Sequence, residues 1–181
     1  DQTEVTNRRY AQCVAMGACQ PPQPDPTYPN HYGKAGFDNH PVVGVTWKQA
    51  AEYCAWIGGE LPGTAQWERA ARGDTANPYP WGAQVPNCSR LNFLSCTPFG
   101  TTSPVGSYPL GLSPFNAADM AGNVFEWVKE QVARSSSFLS QAGGVPVTLS
   151  FSQDPDSGKS DLGFRCALAA ETVKNPPPPI C

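Results

Sequence analysis

The sequence is short of charge, of histidine and of long apolar runs, and each shortage removes a class of function. Charged residues make up 15% of the 181, with 12 Lys and Arg against 15 Asp and Glu. No basic stripe gathers that could neutralise a phosphate backbone, so nucleic acid is not an expected partner. The only histidines, His31 and His40, cannot build a three-histidine metal site. Both fall in a loop-like stretch without a nucleophile elbow, and a packing or surface role is expected for each. No run approaches the roughly eighteen apolar residues of a membrane span, and Asp1-Gln2-Thr3-Glu4 has neither the basic nor the apolar part of an export signal. Cys-x-x-Cys pairs, which would mark a zinc or redox site, are absent.

Turn formers and cysteine are plentiful instead. With 17 Gly and 20 Pro, a helical bundle is disfavoured and one domain rich in turns is expected. Seven cysteines favour disulfides and an oxidising compartment. Cys13 with Cys19, and Cys88 with Cys96, are close enough for short-loop bridges. Of Cys54, Cys166 and Cys181 at most two can pair. Cys181 is the expected spare, because it follows Pro176-Pro-Pro-Pro179 in an extended tail over 171–181.

Three helices carry start signals. Thr6 can cap a helix over Asn7 to Met16 that Gly17 ends. Thr46 with Gln49 forms a capping box, ahead of an apolar face of Ala50, Tyr53, Cys54, Trp56 and Ile57. The third helix runs from Thr64 to Arg72 and closes at Gly73. From Asp74 to Phe115 prolines break the chain, and the Cys88/Cys96 pair offers a staple. Beyond lie two expected strands, Asn123 to Val128 and Val145 to Phe151. In the second, Val145, Val147, Leu149 and Phe151 would face inward and Pro146, Thr148, Ser150 and Ser152 outward, with Pro146 arguing for an edge. In Asp119-Met-Ala-Gly-Asn-Val-Phe-Glu126, two carboxylates flank a glycine turn, a set of hard oxygen ligands suited to calcium.

These segments fit one pattern. Glu4-Val-Thr-Asn7, Pro41-Val-Val-Gly-Val-Thr-Trp47, Leu61-Pro62, Gln66-Trp-Glu-Arg-Ala-Ala-Arg-Gly73, Tyr79-Pro-Trp-Gly82, Pro104-Val-Gly-Ser-Tyr-Pro109, Asp119 to Trp127 and Leu162-Gly-Phe-Arg-Cys166 resemble, in order, the formylglycine-generating enzyme (sulfatase-modifying factor) family. The resemblance implies an α+β, C-type-lectin-like domain over 1–170, with much irregular structure, short helices in the first half and short antiparallel strands. It also implies a strand ahead of Glu4 that this sequence does not contain. By the same resemblance Cys54 pairs with Cys166, and calcium is held by the side chains of Asp119 and Glu126 and the carbonyls of Gly122 and Val124. A second calcium position falls at Asn92, Phe93, Thr97 and Phe99, where Thr97 replaces a carboxylate.

The family's oxidases bind copper and activate oxygen through two cysteines that follow a Gly-Gly-Ser-aromatic motif. Here that motif reads Ser135-Ser-Ser-Phe138, and the stretch from Leu139 to Asp161 contains no cysteine. Ser140 and a position near Val145 stand where the thiols would be, so no copper and no catalytic residue are expected. Arg134-Ser-Ser-Ser-Phe138, sixteen residues from Leu139 to Asp154, and then Pro155-Asp156 keep a frame similar to variable proteins of diversity-generating retroelements, whose C-terminal codons are rewritten. That resemblance implies a binder of an unknown protein or surface ligand in an extracellular, cell-surface or periplasmic setting. Its contact residues would be Phe138, Leu139, Ser140, Gly143, Gly144, Pro146, Thr148, Ser150, Ser152, Ser157, Gly158 and Ser160. The alternative is an accessory or regulatory domain of the same family whose C-terminal segment does not vary.

Overall fold

A computed structural model describes residues 1–25, 31–94, 96, 97, 100–141 and 144–169. Cys181 and the proline-rich tail therefore lie outside the described residues. The three helices form where their caps place them. In α1 (Asn7–Ala15) the Thr6 hydroxyl accepts from the Arg9 N–H at 3.3 Å, and Asn7, Tyr10 and Cys13 are buried. In α2 (Trp47–Trp56) both halves of the capping box are made: Gln49 N–H donates to Thr46 Oγ1 at 3.2 Å, and Thr46 N–H donates to Gln49 Oε1 at 2.9 Å. Ahead of α3 (Thr64–Arg72), Gln66 Oε1 accepts from Gly63 N–H at 2.8 Å, while Glu130 accepts from both the N–H and the hydroxyl of Thr64. Gly73 ends α3 at φ +65°, a positive value that glycine adopts without the penalty a Cβ would bring.

The second half contributes one small sheet of four three-residue strands: β1 (Phe125–Trp127), β2 (Val132–Arg134), β3 (Ser150–Ser152) and β4 (Leu162–Phe164), in the order β3-β2-β1-β4. A tight connection with Gln131 at φ +59° brings β2 back antiparallel to β1, pairing Glu126 with Arg134. β3 lies antiparallel on β2, with Phe151 opposite Ala133. β4 runs parallel to β1, Gly163 opposite Glu126, where only antiparallel strands were expected. A parallel neighbour needs a long crossover, and the segment from 128 to 161 supplies one.

Two of the expected strands are trimmed. Asn123 adopts φ +59°, which keeps β1 from starting before Phe125. The run from Val145 to Phe151 is irregular until Ser150, because the backbone groups of Val147 are bonded outside any ladder. Its N–H donates to Pro78 O at 3.0 Å and its carbonyl accepts from the Arg134 guanidinium at 3.0 Å. Val145 and Val147 are buried as the alternation requires, but a turn in which Leu149 N–H donates to Pro146 O resets the register. Phe151, expected inside, is 38% exposed and sets its ring edge-on to Phe125.

Two apolar clusters result. One joins α1, α2, Trp127 and Phe164; the other joins Trp67 of α3 to Leu91, Met120, Val128, Val145 and Val147. Cys13–Cys19 and Cys88–Cys96 form the two local bridges, and Cys54–Cys166 ties α2 to the residues after β4 across a separation of 112. No helix of the described residues is long and apolar enough to cross a membrane.

Loop-closure entropy separates these bridges. Replacing Cys54 and Cys166 by alanine is expected to cost about 4–5 kcal/mol of stability in urea unfolding, against about 2 kcal/mol for the Cys13/Cys19 pair, because the larger loop releases more chain entropy on unfolding.

Candidate functional site

The expected contact residues separate into three sets in the structure. Thr148, Ser150 and Ser152 are exposed on or beside the outer strand β3, whose second edge has no partner strand among the described residues. Leu139, Ser140, Gly144, Pro146, Ser157 and Gly158 are half-buried. Phe138 and Ser160 are buried, contrary to expectation, and instead line a cavity of about 330 Å³. Gly143 lies outside the described residues.

Several of the half-buried positions have structural work. Ser140 Oγ accepts from Ser137 N–H at 3.0 Å and its carbonyl accepts from Leu94 N–H at 2.9 Å, closing a turn. A Cβ on Gly158 would stand 2.3 Å from the carbonyl oxygen of Gly44, so only glycine fits. That close approach removes Gly158 from any set of freely variable contacts. Phe151 joins the exposed strip in its place. Sequence reasoning missed it because its alternation continued through a turn that the side chains do not announce.

Beneath the strip the support is charged and ordered. Arg134 in β2, 4% exposed, donates to Glu68 at 2.7 Å and to Val147 O, and its guanidinium lies 5.4 Å from the Trp67 ring centre. Arg72 closes on the other Glu68 oxygen. The bonds from Arg72 and Arg134 outweigh the partial burial of Glu68 and hold its carboxyl below the ordinary value.

The residues expected to hold calcium do something else. Glu126 is fully buried, and both its oxygens receive donors: Arg165 Nε and Trp67 Nε1 at 2.7 Å each on one, Arg165 Nη2 at 2.7 Å on the other. Arg165 also donates to the carbonyls of Ala118 and Gln2. Burial alone would disfavour its charge, but Glu126 beside it holds the guanidinium protonated. Asp119 sits at φ +57° and accepts from Gly106 N–H at 2.6 Å, and Gly122 N–H donates to Ser136 Oγ. A calcium ion bound by Glu126 would have to displace a guanidinium, so the donors present do not fit the ion. At the second position Asn92 Oδ1 is buried without a partner. There, however, Phe93 O accepts from Cys96 N–H, Thr97 Oγ1 is bonded within its own turn to Thr101, and Phe99 lies outside the described residues. No carboxylate supplies charge there, and no group of three or more His, Cys, Asp or Glu among the described residues could hold a metal.

Glu4 completes the buried centre. Its Oε2 accepts from Asn123 Nδ2 at 2.9 Å, and its Oε1 has no partner. Burial, then the nearby Asp119 and Glu126 carboxylates, push its proton affinity well above the ordinary carboxylate value; burial also raises Asp119.

Two outcomes follow from this centre. Glu126→Gln is expected to cost about 3–5 kcal/mol, since it strands a buried guanidinium, and neither added calcium nor a chelator should move the melting temperature of the parent protein; a calcium-dependent melt would show that the ion does enter. The folded protein keeps protons on Glu4 and Asp119 at pH values where the unfolded chain has released them. Stability should therefore fall as pH rises above the ordinary Glu value of 4.5. Glu4→Gln, which cannot ionise, should flatten that fall in a series of melts across pH.

The family model described as "Sulfatase-modifying factor enzyme 1-like domain" matches residues 1–170. The chain is 37% identical over 159 residues to the inactive C-alpha-formylglycine-generating enzyme 2 of Mus musculus, covering 74% of this chain and 51% of that protein. It is 34% identical over 175 residues to the formylglycine-generating enzyme of Streptomyces coelicolor, covering 75% of this chain and 55% of that one. The chain thus spans about half the length of these relatives. Among solved structures, Treponema denticola variable protein 1 superposes with a TM-score of 0.69 at 19% identity, covering 91% of this chain and 82% of that one.

Proposed function

Because the chain belongs to the sulfatase-modifying-factor family, we propose that it is a binding member of that family, not an oxidase, and that its contacts are made by a varied surface on and around β3. The observation that carries this reading is the outer strand itself. Ser150, Phe151 and Ser152 are all exposed on a strand whose partners in β2 are the half-buried Val132 and the buried Ala133 and Arg134. Side chains can change on such a strip without disturbing what lies below. A frame ordered before a partner arrives reduces the ordering cost of binding, and the Arg134, Glu68 and Trp67 arrangement supplies that order.

Two further observations support it. The oxidases need two thiols after the aromatic of their motif, and the chain has no cysteine between Leu139 and Asp161. Six of the seven cysteines are in disulfides, and the seventh ends the proline-rich tail. Without thiolates to hold copper, oxygen activation by this route has no chemical basis in these residues. A solved neighbour in fold is a variable protein, and this reading extends variation to the strip of the present chain. Three disulfides favour an oxidising compartment, so we place the protein outside the cell, on its surface or in the periplasm. The strip is rich in small residues and lacks Trp, Tyr and Arg, the usual anchors of tight interfaces. Phe151 is its one large apolar contact.

Sister genes test the proposal. Their differences should concentrate at Thr148, Ser150, Phe151 and Ser152, spare Val145, Val147, Gly158 and Ser160, and be mirrored by a nearby template copy that differs only at adenines. An invariant β3 across sister sequences would overturn it in favour of an accessory domain.

A further inference from the structure

Three residues that the binding surface does not use carry a chemistry of their own. In Asn87-Cys88-Ser89 a serine stands two residues after an asparagine with no proline between, and no other asparagine of the chain has Ser or Thr at that spacing. The spacing matters because enzymes that attach sugar to the side-chain nitrogen of asparagine require a hydroxyl at that position. Such a triplet is common by chance, and its placement decides whether it can serve.

Asn87, Cys88 and Ser89 are all exposed, in a turn that the Arg90 N–H closes on Asn87 O at 3.0 Å. Asn87 Oδ1 accepts from Ser89 N–H at 3.0 Å and from Ser89 Oγ at 2.5 Å, so the hydroxyl already lies on the carboxamide. Nδ2, the atom that would take the sugar, has no partner among the described residues. Two donors on Oδ1 stabilise negative charge there, and Nδ2, otherwise a poor nucleophile, releases a proton more readily. Cys88 is held in the Cys88–Cys96 bridge and brings no competing thiol. The turn belongs to no helix or strand and lies outside both apolar clusters, so a bulky group on it disturbs no packing. Three disulfides favour an oxidising compartment, and the triplet works as an acceptor in a surface loop of an exported chain.

From the triplet, its exposure and the hydroxyl bonded to the carboxamide, we infer that Asn87 is an acceptor for an asparagine-linked glycan. The donor is an oligosaccharide activated as a lipid pyrophosphate. Asn87 Nδ2 forms a bond to C1 of the first sugar, and the C1–O bond to the pyrophosphate breaks, its electron pair leaving with the pyrophosphate. One Nδ2 proton passes to a base of the transferase, and nothing is oxidised or reduced. The inference shares with the proposed function only the oxidising compartment; it does not depend on β3 or on what β3 binds.

Expression of the full chain behind an export signal in yeast, with cell-associated and secreted protein both collected, tests this. Trypsin releases residues 73–90 as one peptide. In the parent protein that peptide should carry the added mass of N-acetylhexosamine and hexose, and peptide N-glycosidase should remove it and leave an aspartate in place of Asn87. Asn87→Gln and Ser89→Ala should each lose the added mass, while Ser89→Thr, which keeps a hydroxyl, should retain it. Tunicamycin, which blocks synthesis of the lipid-linked donor, should abolish it in the parent. If Ser89→Ala does not fold, Asn87→Gln, which preserves a carboxamide on an exposed turn, decides. An unmodified parent peptide, added mass that resists the N-glycosidase, or added mass retained in Asn87→Gln would overturn the assignment.

Discussion

A carboxylate and a guanidinium closed away from water, Glu126 and Arg165, set the terms for the rest of the molecule. Glu126 belongs to β1 and Arg165 follows β4, so their bidentate contact fixes the parallel pairing of β1 with β4. Trp67 of α3 donates to the same carboxylate, and the guanidinium reaches the carbonyls of Ala118 and Gln2. One ion pair thus draws together a helix, two strands, a loop and the first residues. Such a pair repays its desolvation only when its remaining hydrogen-bonding capacity is met, and here the surrounding carbonyls and the indole meet it. The next residue, Cys166, is bonded to Cys54 of α2, so ionic and covalent ties act side by side.

What the chain reveals in advance depends on how local the cause is. Thr6, Thr46 with Gln49, and Gly73 act within one turn of helix, and all three helices follow from them. The two short disulfides are legible for the same reason. The late start of β3 is not, because the partners that unseat Val147 from a ladder are Pro78 and Arg134, distant in sequence. Strand β2 escapes notice because three residues, Val132 to Arg134, are too few to show an alternation.

The candidate site repeats that lesson. Asp119 and Glu126 have the residue types and spacing of a calcium loop, and nothing within that loop contradicts it. The contradiction comes from Arg165, whose guanidinium arrives only with the fold. Gly158 reads as an ordinary loop glycine until the Gly44 carbonyl is seen against it. Phe138 and Phe151 exchange expected roles, the first turning inward to a cavity and the second outward to solvent. In each case residue type was legible and direction was not.

The long disulfide has a consequence for survival in a hostile medium. The exposed strip at β3 lies wholly inside the loop that Cys54 and Cys166 close. A protease that nicks this segment leaves two pieces still joined through sulfur, with α1, α2 and β1 on one side of the cut and β4 on the other. The exposed part of the molecule can therefore be cleaved without shedding a fragment, and the cut ends remain tethered where they can settle back onto the frame.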